Sequence, residues 1–157
     1  GLDGFVVDWH GLELDSMGTP SGEAPRQWQS FLELVNAADR PGVDFDLAPM
    51  LEPKVQQAGW LDPSWNLLQR RDSLLAEVTF LVRQLGDRRC MLRLDGGMVF
   101  FVFWHNIPGW DGQRLEEGDW QWIIQQVESS TGEAIAFIAT HPPTPSPLHS
   151  VAMAVGT

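Results

Sequence analysis

Apolar and polar positions first alternate at Phe5–His10. Phe5, Val7 and Trp9 interleave with Val6, Asp8 and His10, the period of two that sends successive side chains to opposite faces of a strand. Gly11 interrupts the pattern and Leu12-Glu13-Leu14-Asp15 resumes it. A Gly-, Pro- and Ser-rich turn follows over 17–22. Pro25, a favoured first helical residue, then opens a helix that ends near Ala38, with Trp28, Phe31, Leu32 and Val35 on one stripe. "VDFDL", 43–47, alternates like a short strand with its acids on one face, and "LEPKVQQAGW", 51–60, reads as a helical turn between Pro53 and Gly59.

The longest periodic segment predicts a helix over Pro63–Leu85. Asp62 is placed at its N-cap, Pro63 at its first position and Gly86 as its C′ residue. Leu67, Leu74, Val78, Leu81 and Leu85 form its main stripe, widened by Leu68, Leu75 and Val82. "RRCMLRL", 88–94, alternates again, and Asp95-Gly96 is a strong hairpin turn signal. The strand after it, "MVFFVFWHN" (98–106), is apolar on both faces and so belongs at the centre of a sheet or under cover on both sides. Residues 107–118 read as a loop. A third helix is expected over Asp119–Thr131, with Trp120, Ile123, Ile124 and Val127 inward and Gly132 at its end, and then a buried strand over 134–139.

These elements predict an α+β fold: one mostly antiparallel β-sheet packed by a long central helix and two shorter helices. The domain is expected to occupy 1–140. The Pro-rich segment 141–157 is read as extended or as an edge strand, with His141 and His149 as solvated residues around its prolines.

Composition narrows the function classes. With 157 residues, 43% hydrophobic and 20% charged, the chain reads as one globular domain. Its longest apolar run, Met98–Trp104, is far short of the roughly 20 residues of a membrane helix. The start of the chain, which opens on Gly1, shows no basic stretch followed by an apolar one. Cys90 is the only cysteine, so a reducing cytoplasm is the expected compartment. Cys90 itself sits in an alternating segment and reads as a small buried thiol rather than a nucleophile.

The net charge of −11 disfavours nucleic acid and anionic membrane as partners and favours a basic protein. The charge is uneven: six arginines against three acids give Ser64–Arg93 a net +3, leaving −14 on the rest. Intramolecular pairing of those arginines is the expected use.

No nucleotide, zinc-protease or nucleophile-elbow motif is present, and no cofactor is expected. "PGWDGQRLEEGDWQW", 108–122, interleaves aromatics with acids. Trp110, Asp111, Glu116, Glu117, Asp119 and Trp122 are therefore the expected binding residues, supplying apolar burial and electrostatic steering, with Trp120 reserved for the core. The expectation is a non-catalytic acidic binding domain, most concretely an immunity-type protein that masks a basic bacterial toxin or effector; a secretion chaperone shares this profile. The competing reading is a small metal-binding or acid–base enzyme. Asp8 and His10 share a strand face, and they would meet His105 if the two strands were neighbours.

Overall fold

Five strands and three helices follow one another in the computed structural model, which describes residues 3–9, 24–51, 66–103 and 115–140. They are β1 (Gly4–Trp9), α1 (Ala24–Ala38), β2 (Asp46–Leu51), α2 (Leu67–Leu85), β3 (Arg93–Leu94), β4 (Gly97–Phe103), α3 (Glu117–Thr131) and β5 (Ile135–Thr140). The class is α+β, with three helices on a mixed five-stranded sheet.

The expected antiparallel character is corrected by the pairing. β1 with β2, β2 with β4 and β4 with β5 all run parallel, and only the β3–β4 hairpin is antiparallel. The hairpin is where the turn signal placed it: Asp95 and Gly96 both have positive φ, 50° and 87°, as a two-residue hairpin turn requires. Beyond that hairpin, each strand is followed by a helix that crosses back to start the next strand in the same direction. The long strands stand in the order β1-β2-β4-β5, so each crossing steps the same way. Connections of one hand that step one way lay their helices on one face. Accordingly, Phe31 and Val35 of α1, Leu74, Val78, Leu81 and Leu85 of α2, and Trp120, Ile123 and Val127 of α3 share a single core with Leu47, Leu51, Phe100 and Phe137. The opposite face carries a smaller cluster of Ala48, Val99 and Ala136 flanked by Phe101 and Ile138.

β2 begins at Asp46, later than the alternation predicted, and runs through Pro49, a residue that normally argues against a central strand. Its pairing explains the exception. Leu47 donates to the Cys90 carbonyl at 2.7 Å and accepts from the Leu92 amide at 2.8 Å, whereas Met50 and Leu51 pair with β4. Pro49 sits where β2 changes partner, so its missing N–H breaks no bond of the ladder.

Helix ends also differ from expectation. α2 is capped by Asn66, whose side chain accepts from the Gln69 amide at 3.0 Å while the Gln69 side chain accepts from the Asn66 amide at 2.9 Å. The expected cap Asp62 and first residue Pro63 lie outside the described residues. Gly86 is right-handed, with φ −61°, rather than the left-handed residue expected after a helix. Its hydrogen matters for space, because a Cβ there would lie 2.7 Å from the Val82 carbonyl oxygen. Gly132 does close α3 in the left-handed region, at φ 77°.

The C-terminal segment 141–157 and the 51–60 turn, apart from Leu51, lie outside the described residues. Among the described residues no helix is long and apolar enough to cross a membrane.

Candidate functional site

The acidic start of α3 is built from its own backbone outward. Glu116 precedes the first turn, and its amide donates to the Asp119 carboxylate at 3.1 Å. Glu117 and Asp119 occupy the first turn, where acids meet the positive end of the helix dipole. Glu116 and Glu117 are exposed. Asp119 is not simply presented to solvent: the Arg71 guanidinium of α2 approaches it at 3.5 Å and is also 3.6 Å from Asp72. The same guanidinium lies 3.8 Å above the ring of Trp122. Two of the expected binding residues, Asp119 and Trp122, therefore hold α3 against α2. Trp120 is buried, edge-on to Phe137 at 5.1 Å. Trp110 and Asp111 lie outside the described residues.

Most of the arginines of 64–93 are engaged within the molecule, whereas Arg83 is exposed. Arg88 pairs with Asp39 at 3.6 Å, and Arg89 donates to the carbonyls of Asp39 and Arg40 just past α1, at 3.1 and 2.6 Å. Arg93 donates to the Gly86 and Gly96 carbonyls and meets Glu133 at 3.4 Å. Arg70 and Glu77 are buried outright, 2% and 1% exposed, on the stripe that also carries Leu74 and Leu81. Cys90 is buried, its thiol directed at the Val35 carbonyl at 3.7 Å. Loss of water contact, and then the negative charge of Asp39, push its pKa above the ordinary thiol value.

The metal or acid–base arrangement required β1 beside β4. β2 stands between them, a separation of about 10 Å at two strand spacings. Asp8 is exposed on β1, and His10 and His105 lie outside the described residues. Among the described residues, no three His, Cys, Asp or Glu side chains gather closely enough to hold a metal ion.

A second acidic surface was not anticipated. β1 pairs on one side only among the described residues, and it is exposed on both faces, with Phe5 at 51% and Val6 at 47%. Val43 and Leu34 are exposed nearby, and Phe5 leans edge-on against Phe45 at 4.8 Å. Asp3, Asp44 and Asp46 are exposed at the same end of the sheet, with the Asp46 amide donating to the Asp3 carbonyl at 3.0 Å. None of the ion pairs among the described residues reaches these three carboxylates. The alternation in "VDFDL" was the available signal for Asp44 and Asp46. Their closeness to β1 depends on a parallel pairing that alternation does not encode.

Comparison with known protein families, with curated proteins and with solved structures finds no match to this chain.

Proposed function

We propose that this chain is a non-catalytic protein-binding domain for a basic partner, in its most concrete form an immunity-type protein that masks a toxin or effector. The observation that carries the reading is the joining of exposed carboxylates, which no ion pair among the described residues reaches, to exposed apolar surface at Asp3, Asp44, Asp46, Phe5, Val6 and Val43. Apolar side chains in such a patch supply the burial that holds a complex, and the surrounding charge selects and steers the partner. The net charge of −11 extends the same field over the whole molecule. Glu116 and Glu117 add a second exposed acidic point, while Asp119 and Trp122 contribute by fixing the helix that bears them.

The immobilised chain, exposed to extract from its native host, should retain a basic protein. The purified pair should form a stoichiometric complex by sedimentation. The pair of substitutions Asp44→Lys and Asp46→Lys should weaken that complex at least tenfold while the fold, followed by circular dichroism, is unchanged. Retention of only acidic proteins, or a complex indifferent to these reversals, contradicts the reading.

A further inference from the structure

Phe5 stands half in water near the start of β1, 51% exposed. A single exposed ring is ordinary on a protein surface, but this one is held in place. Its backbone lies beside Leu47 in the parallel register, and the bond from the Asp46 amide to the Asp3 carbonyl, 3.0 Å, fixes the chain just before it. Phe45 meets the ring edge-on, with centroids 4.8 Å apart and planes at 68°. Part of the Phe5 ring is therefore braced against a second ring while the rest faces solvent.

Asp3 comes two residues before Phe5, and side chains two apart on an extended chain share a side. Asp3 is exposed, so a carboxylate and an aromatic face are offered together. Asp46 adjoins the core residue Leu47 and so lies on the opposite face, with Val6; there it adds negative potential rather than a contact. Arg40, just before this stretch, is exposed. Neither it nor any other cation among the described residues forms an ion pair with Asp3 or stacks on Phe5. The start of α3 shows the same two groups with their cation. There Arg71 lies 3.8 Å above the Trp122 ring while it meets Asp119 at 3.5 Å. At the start of β1 the ring and the carboxylate are set out alike, and no described residue supplies the guanidinium.

We propose that Phe5 and Asp3 receive an arginine side chain of the basic partner, its guanidinium stacked on the Phe5 ring and donating to the Asp3 carboxylate. Arginine rather than lysine fits this pair of groups. A planar guanidinium lies flat on a ring and still directs N–H groups at a carboxylate beside it, whereas an ammonium is a compact charge that holds its water. Phe45 keeps the ring in place, and Asp44 and Asp46 draw the cation in from a distance. Exposed aromatics braced in this way and paired with arginine are typical anchors of protein interfaces. The assignment rests on the protein-binding reading and narrows the partner from a basic protein to one that presents an arginine at its docking surface.

The probe is a blocked pentapeptide in which two arginines alternate with glycine, titrated into the whole chain at low salt and followed by nuclear magnetic resonance. The same peptide with lysine in place of arginine carries equal charge and is the comparison. The arginine peptide should bind about three- to fivefold more tightly, with the largest changes at the ring protons of Phe5. Phe5→Leu keeps the apolar bulk and removes the ring, so it should abolish that preference and leave the lysine peptide unaffected. Asp3→Asn should weaken the arginine peptide about threefold or more, and it keeps the test sound if the leucine variant is disturbed. Equal affinity for the two peptides, or a preference that survives Phe5→Leu, would overturn the arginine assignment. Changes centred on Glu116 and Glu117 would overturn it as well and move the basic partner to α3. No binding of either peptide at millimolar concentration would also overturn it, and the native capture would then judge the broader reading alone.

Discussion

Arg71 touches three side chains at once, and its removal separates structural from binding roles at the start of α3. Its planar cation lies on Trp122 and meets Asp119 and Asp72. Arg71→Ala should cost about 1–2 kcal/mol in urea unfolding, the sum of a cation–π contact and partly exposed ion pairs. Arg71→Lys should recover only part of that, because an ammonium does not stack as a guanidinium does. An unchanged midpoint would free Asp119 and Trp122 for a binding role. Cys90 gives a second test at this scale. Its burial and the neighbouring Asp39 favour the neutral thiol in the folded chain, so its native pKa is raised. That contribution to stability is complete below the ordinary thiol pKa of about 8.5 and fades as pH climbs through the raised native value. Unfolding free energy should therefore fall more between pH 7 and pH 10 in the wild type than in Cys90→Ala. Labelling of the thiol should keep pace with unfolding. Rapid labelling of the folded protein would contradict its buried placement.

At the scale of elements, periodicity exposed what was buried and missed what was paired. The main stripes of α1, α2 and α3 were legible, since a repeat of 3.6 is written in each segment alone, but Leu68, expected to widen the α2 stripe, is exposed. Trp120 and Leu68 give the contrast a number. Trp120→Ala should cost about 3–5 kcal/mol, whereas Leu68→Gln, at a position 56% exposed, should stay within about 0.5 kcal/mol. Comparable losses would mean that α2 and α3 present different faces to the sheet. The β3–β4 hairpin was legible from Asp95-Gly96, a signal only two residues long. Extending its antiparallel pairing to the whole sheet was the error. Parallel neighbours are joined through helices, and nothing local in β1, β2 or β5 states which strand lies alongside. The alternation of 43–47 placed β2 a few residues early, because the strand's pairing through Leu47, Met50 and Leu51 is set by its neighbours rather than by its own pattern. Arg70 and Glu77 were visible as charges on the α2 stripe, yet the leucines around them set the reading. The acids of α3 could be seen in the sequence for the same reason, but the cation that engages Asp119 comes from α2.

At the scale of the molecule, several arginines among the described residues are engaged by carbonyls and carboxylates of other elements, while Asp3, Asp44, Asp46, Glu116 and Glu117 are exposed. Arg88, Arg89 and Arg93 bind carbonyls and carboxylates across element boundaries, which ties α1, the α2–β3 corner and the β3–β4 hairpin together. What remains exposed at the β1–β2 end is acidic and apolar, and that imbalance is the basis of the functional account. It is tested most directly by the rate at which the captured partner associates with this chain as salt is raised. Steering by an acidic surface predicts that the rate falls about tenfold or more between roughly 20 and 500 mM salt, and that Asp44→Lys with Asp46→Lys removes most of that fall. A rate that is flat across this range, in the wild type and the variant alike, would contradict it.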